Sequence, residues 1–121
     1  MNVTLVAKGE QKIVEGLPGT GLIQSPDDVV DLIGACFENK AQAVLLYAEN
    51  LTERFFDLSS GEAGAILQKF RNYRTRVAVV VSQDGSPQSS KFREMVSEES
   101  RGGDFRLFGD REAAEAWLLG D

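Results

Sequence analysis

The sequence predicts a single α/β domain over residues 1–121. Its mostly parallel, mixed sheet would have four or five strands and about four helices, in the order β-β-α-β-α-β-α-β-α. Two nearly continuous apolar runs, AVLLYA and VAVVV, are typical of central strands covered on both faces. Segments with helical periodicity alternate with these runs, which implies right-handed crossovers between parallel strands. A chain of 121 residues, 42% of them hydrophobic, is large enough for one core.

The N-terminal part predicts a hairpin followed by a loop. Val3, Leu5 and Ala7 alternate with polar neighbours, which predicts a half-buried strand. A short turn leads to a second strand around Ile13 and Val14. The following stretch, LPGTGLIQ, contains glycines but lacks the Lys-Ser/Thr pair of a phosphate-binding loop. We therefore predict an ordinary loop.

The first helix is predicted to begin at SPDD. Ser25 suits the N-cap, Pro26 suits the first turn, and Asp28 is placed to complete a capping box. One apolar stripe follows, formed by Val29, Leu32, Ile33, Cys36 and Phe37. A thiol on this buried stripe is predicted to be structural and not nucleophilic.

Three more helices and three strands are predicted in the remaining sequence. The AVLLYA strand starts at Ala43. The next helix begins within FFDLSSGEAGAILQKF, and its inward face is predicted to contain Ala63, Ile66, Leu67, Phe70 and Tyr73. The VAVVV strand spans residues 77–81, and after a loop at residues 83–89 a helix starts at Ser89 or Ser90 with Phe92, Met95 and Val96 inward. The last strand is FRLF at residues 105–108. The closing helix, capped by Asp110, buries Ala113, Ala114, Trp117 and Leu118.

Composition excludes several classes of function. The net charge is −6 with a pI near 4.7, which disfavours non-specific binding to nucleic acid or anionic membranes. The absence of histidine removes the usual zinc sites and the Ser-His-Asp triad. One cysteine, no signal-peptide pattern and no apolar run near ~20 residues favour a cytoplasmic protein. We predict no catalytic residues, no cofactor, and neither a nucleic-acid nor a membrane partner.

The stretch DLSSGE allows two interpretations. Ser59 and Glu62 have the S-x-x-E spacing of a capping box, so the serine would only start the helix. Alternatively Ser59, Ser60 and Gly61 form an exposed turn that acts as a phosphorylation switch or binds an anion, with Asp57 and Glu62 as its charged rim.

Two further polar groups are candidates for ligand binding. Glu49, Asn50, Asp57 and Asp84 are expected near the carboxyl edge of the sheet, where open α/β sheets bind ligands. The sequence does not fix the spacing of these acids, so no metal site is predicted. A basic cluster, formed by Lys69, Arg71, Arg74 and Arg76, is predicted to be a solvated helix end, with an anion-binding patch as the alternative.

From Ala43 to Trp117 the order of features resembles the STAS-type (SpoIIAA-like) domains of anti-sigma factor antagonists and sulphate transporter tails. These domains have an apolar strand, then Asp-Ser-Ser-Gly opening a helix, then a Val-rich strand. The resemblance implies a STAS-like sandwich with the phosphorylated switch serine at Ser59. Leu58 stands here where that motif has aspartate, and Asp57 comes one residue earlier.

The sequence also resembles the domain of unknown function 4180 family of small bacterial proteins. The resemblance is carried by DLIGACFENKAQAVLLYAENL, FFDLSSGEAGAILQKFRNYR, SKFREMVSEESRGGDF and DREAAEAWL. It implies the architecture and no activity.

The function expected from the sequence is therefore a non-enzymatic regulatory or protein-interaction module that acts through the Ser59 helix start. The alternative is a small-ligand or nucleotide-binding protein, or an enzyme, that uses the carboxyl edge. A third possibility is a homodimer formed through an exposed edge strand such as Val3–Ala7.

Overall fold

A computed structural model describes residues 3–57, 60–81 and 103–120. Its strands and helices are β1 (Val3–Lys8), β2 (Gln11–Gly16), α1 (Pro26–Asn39), β3 (Ala43–Tyr47), α2 (Glu62–Asn72), β4 (Arg76–Val80), β5 (Phe105–Phe108) and α3 (Arg111–Leu118). Two 3-10 turns, Ala48–Asn50 and Glu53–Phe56, join β3 to α2. The loop predicted at residues 83–89 and the helix predicted after it lie outside the described residues.

The strands form one five-stranded sheet in the order β1-β2-β3-β4-β5. β1 pairs with β2 antiparallel, and every other neighbouring pair is parallel. A mostly parallel sheet after an opening hairpin is therefore confirmed. Three helices are described, against about four predicted.

The sheet is covered on both faces, as the apolar runs predicted. α1 and α2 cover the larger core, to which the sheet contributes Val14, Val44, Leu46, Val77, Val79 and Phe105. α3 covers the other face, where Ala114 and Leu118 pack on Ile13, Ala43, Leu45 and Ala78. Burying each large aliphatic side chain of such a core stabilises the fold by about 1.5–3 kcal/mol. Cys36 lies buried in the larger core, and burial raises the pKa of its thiol to about 11.

The segment predicted to be a half-buried strand forms β1, but Val3, Leu5 and Ala7 do not share a buried face. Leu5 and Ala7 are exposed, whereas Val3 and Val6 are half-buried and pack on opposite faces of the sheet. The reason is that β1 is the last strand at its end of the sheet, so neither helical layer fully covers it.

Two aromatic residues predicted to be inward are also exposed, namely Phe37 and Tyr73. At about 100° per residue, Phe37 lies about 80° around α1 from Val29, at the margin of the buried stripe. Tyr73 follows the last helical residue of α2, where the backbone has left the helix. Of the residues predicted inward on α3, Ala114 and Leu118 are buried, Trp117 is half-buried and Ala113 is exposed.

The helix starts are partly as predicted. Asp110 caps α3 by accepting a hydrogen bond from the Ala113 N–H at 2.8 Å. Ser25 is the N-cap of α1 but makes no side-chain cap bond, and Asp28 accepts from the Gln24 N–H at 2.9 Å instead. None of the helices in the described ranges is long and apolar enough to cross a membrane.

Candidate functional site

Asn50 fastens a loop onto the carboxyl edge of β2 and β3. Its side-chain oxygen accepts a hydrogen bond from the Tyr47 N–H at 2.8 Å, and its amide donates to the carbonyls of Leu17 and Thr20, both at 2.9 Å. The backbone carbonyl of Asn50 also accepts from the N–H groups of Leu22 and Ile23. The side chain is fully buried and both of its polar ends are used, so its described role is to hold the 17–24 loop in place.

The other residues predicted for the ligand edge are not gathered around Asn50. Glu49 and Asp57 are both exposed, and Asp84 lies outside the described residues. Among described residues, no group of three or more acidic, cysteine or histidine side chains is arranged to hold a metal ion.

The turn before α2 is organised by Ser60, which is exposed. Its hydroxyl shares its proton between the carbonyls of Arg54 at 2.5 Å and Asp57 at 2.8 Å, and its oxygen accepts from the Glu62 N–H at 3.1 Å. The helix begins at Glu62 and not on the serines. Its N-cap is Gly61 at φ 75°, a left-handed conformation that favours glycine. Ser59, the predicted cap or switch, lies outside the described residues.

Glu62, predicted as part of the charged rim, is buried, with its side chain only 8% exposed. It forms an ion pair with Arg54, with 3.0 Å between Oε2 and Nε. Arg54 also donates from Nη2 to the Gln24 carbonyl at 3.2 Å. Arg54 thus connects the end of the 17–24 loop to the start of α2.

Replacing Ser60 with Ala is expected to lower the free energy of unfolding by about 1 kcal/mol, since the Glu62 N–H and two carbonyls lose their partner. Ser25→Ala is the matched control, because Ser25 starts α1 without a side-chain bond and its loss should cost less than about 0.5 kcal/mol. Urea unfolding of the two variants measures the difference. Equal losses would mean that the Ser60 hydroxyl bonds contribute nothing.

An ion network that the sequence analysis missed lies on the α3 face. Arg111 donates to both oxygens of Glu15, from Nη2 at 2.8 Å and from Nε at 3.0 Å, and the Tyr47 hydroxyl donates to the same carboxylate at 2.5 Å. Arg111 also donates to Glu115 at 2.6 Å, and Lys8 pairs with that acid at 3.2 Å. The network fastens α3 onto β1, β2 and β3.

The charges of the network shift its pKa values. The hydrogen bonds from Arg111 lower the pKa of Glu15, although burial opposes the shift. Burial, together with the Glu15 carboxylate, raises the pKa of Tyr47 to about 12. The hydrogen bond from Lys8, and then that from Arg111, lower the pKa of Glu115, although burial opposes the shift. At neutral pH both carboxylates are therefore charged and Tyr47 is neutral, and every charge of the network has a partner.

Two features lie together at the amino edge of the sheet. Phe37 and Tyr73 are 68% and 47% exposed and meet edge to face, with ring centroids 6.4 Å apart. A small cleft of about 110 Å³ beside them is also lined by Arg74. Arg74 also lines a larger groove of about 660 Å³ at the starts of β2, β3 and β4. Of the predicted basic cluster, Arg74 and Arg76 line this groove.

Comparison with known proteins identifies a family. A family model described as Domain of unknown function (DUF4180) matches residues 8–118. No curated protein and no solved structure shows a significant match to this chain.

Proposed function

The chain belongs to the DUF4180 family, and we propose that it is a non-enzymatic protein-interaction module. The observation that carries the proposal is the exposed aromatic pair of Phe37 and Tyr73. Val30 extends the same surface along α1, because it precedes Phe37 by seven residues and is 46% exposed. We call these three residues the aromatic surface.

The aromatic surface has the properties of a docking site for an apolar side chain of another protein. Aromatic residues are enriched at interfaces, because they supply a large contact area at low entropic cost. The adjacent cleft, lined in part by Ile33, Cys36 and Ala41, offers an apolar recess beside the rings. A partner residue such as Leu or Met would remove both rings from water on binding.

Control by phosphorylation at Ser59 or Ser60 is a further part of the proposal, as is the STAS-like relationship. The Ser60 geometry supports such control, because a phosphate on that oxygen would remove the proton shared by two carbonyls. It would also place negative charge near Glu62, which now pairs with Arg54. We further propose a cytoplasmic location, which suits the free thiol of Cys36.

The test is the size of the native complex formed by tagged protein in its source cell. Phe37→Ser and Tyr73→Ser should each release the partner. The loss in the free energy of unfolding should stay at about 1 kcal/mol, because Phe37 is mostly exposed and Tyr73 about half exposed. Complex size is measured by native mass spectrometry and stability by urea unfolding.

Leu5→Ser is the matched control, since Leu5 is 43% exposed on the edge strand β1. The complex should survive this change. A complex lost with Leu5→Ser and kept with Phe37→Ser would replace the proposal with self-association through β1. A bare monomer in the wild-type protein would also contradict it.

A further inference from the structure

The groove at the amino edge has the size of a small-molecule site. Its volume is about 660 Å³, within the range of roughly 300–1,000 Å³ that is usual for ligand pockets. Lys12 of β2 and Arg76 of β4 line it, together with the residues that follow α1 and α2. Its apolar lining comes from Leu119, which is half-buried, and from Ile13, Ala43 and Leu118, which are buried.

The groove is strongly cationic in an acidic protein. Among the described residues, four cations line it, namely Lys12, Lys40, Arg74 and Arg76, against the single acid Glu10. The difference is +3, whereas the whole chain carries −6. Within the described ranges no ion pair joins any of the four to a carboxylate, in contrast to Lys8, Arg54 and Arg111. These four cations are therefore free to bind a ligand that carries negative charge.

The helix dipoles explain the positions of only two of these four cations. Lys40 and Arg74 follow the C-terminal ends of α1 and α2, where a cation is favourable. Lys12 and Arg76 belong to strands and have no such role. The guanidinium of Arg76 is held 4.2 Å above the Trp117 ring, which fixes its position at the groove.

The backbone conformation of two groove residues is a second, independent indication of a functional site. Lys40 has φ 57° and Arg74 has φ 54°, and they are the only described non-glycine residues with positive φ. Glycine adopts this conformation without strain. A glycine at position 40 would still donate its backbone N–H to the Cys36 and Phe37 carbonyls, as Lys40 does. What glycine lacks is a cationic side chain. Strained residues of this kind concentrate at functional sites.

We propose that this groove binds a small organic polyphosphate, with a nucleoside diphosphate as the best match in charge and size. A nucleoside diphosphate carries up to three negative charges, which complements the excess of +3. Two arginines suit phosphate oxygens, because each guanidinium can donate two parallel hydrogen bonds. The apolar lining then packs against the organic part of the ligand.

The experiment is titration calorimetry with three probes: inorganic pyrophosphate, ADP and adenosine. We expect ADP to bind with a Kd of about 10 μM to 1 mM at low salt, pyrophosphate more weakly, and adenosine not measurably. Lys40→Gly and Arg74→Gly should each weaken ADP binding about fivefold, and together about 25-fold. Both variants keep or raise the Tm, since glycine relieves the positive φ, so lost binding is not lost folding.

Lys69→Gln is the matched control, because Lys69 lies in the last turn of α2 and does not line the groove. It removes one charge and should leave ADP affinity unchanged. Equal weakening by Lys69→Gln and Lys40→Gly would show non-specific attraction and overturn the proposal. So would the absence of binding up to about 10 mM ADP, or unchanged affinity in the double glycine variant. Pyrophosphate binding as tight as ADP binding would correct the ligand to an inorganic one.

Discussion

Asn50→Asp is expected to lower the free energy of unfolding by about 3 kcal/mol or more. The substitution keeps the shape of the side chain but replaces its amide donor with a second oxygen. That oxygen would face the carbonyls of Leu17 and Thr20 at about hydrogen-bond distance, in a site without water access. The two carbonyls would lose their donor, and the buried charge would keep only the Tyr47 N–H as a partner, so the effect exceeds that of a single lost hydrogen bond.

Urea unfolding measured by circular dichroism checks this prediction. Asn72→Asp is the matched control, because Asn72 is exposed at the end of α2 and its change adds the same charge. The control should cost less than about 1 kcal/mol, mainly through the helix dipole. Similar losses in the two variants would show that the loop does not depend on the Asn50 amide.

The Asn50 side chain also packs closely against Gly16. A Cβ at Gly16 would lie 2.5 Å from the Asn50 side-chain oxygen, closer than a Cβ atom approaches any non-bonded heavy atom. Gly16→Ala is therefore expected to cost about 2 kcal/mol in the wild-type protein and much less when Asn50 is already Ala. Additive losses in this double-mutant cycle would contradict the close packing of the two residues.

The role of Asn50 was not predictable from the sequence, although its place after a strand was. The sequence marked it as a polar residue at the carboxyl edge, and the structure places it there. Which groups meet its amide depends on the path of the 17–24 loop, and no local pattern specifies that path. Central strands were predictable for the opposite reason, since an apolar run such as that from Ala43 to Tyr47 specifies burial by itself.

Phe37 shows the limit of helical periodicity. Its spacing from Val29 and Ile33 fits a stripe, but the width of the buried stripe depends on how far α2 reaches around α1. Only the tertiary structure determines that reach. The same holds for Lys12 and Lys40, which are far apart in sequence but line one groove because strand starts and helix ends share one edge of the sheet.

The α3 network was partly within reach of the sequence. Glu15 shares a strand face with the buried Ile13, and Tyr47 shares one with Leu45, so period-two alternation places both on the same face of the sheet. A carboxylate on a covered face needs a cation. Which cation pairs with Glu15 could not be predicted from the sequence, since Arg111 follows Glu15 by 96 residues.

Glu15→Gln is expected to cost about 2–3 kcal/mol at pH 7, because the carboxylate that accepts both Arg111 donors loses its charge. The pKa of Glu15 is lowered in the folded protein, so its contribution is present above the unfolded value of 4.5. It is lost as pH falls through the lower folded pKa. The difference between wild type and Glu15→Gln should therefore be largest near neutrality and shrink below about pH 4.

Tyr47→Phe separates the hydrogen bond from the ion pair in the same network. It leaves the Arg111 pair in place, so it should cost about 1 kcal/mol and keep the acid sensitivity of the wild type. Because the pKa of Tyr47 is raised from 10.0 to about 12, the wild type loses stability as pH rises through that interval, and Tyr47→Phe should not. Urea unfolding midpoints of the wild type, Glu15→Gln and Tyr47→Phe at pH 3, 7 and 11 measure the acid, neutral and alkaline stability of each protein. If Glu15→Gln costs as much at pH 3 as at pH 7, the Glu15 charge is not what holds α3 against the sheet, and shape alone would explain the contact.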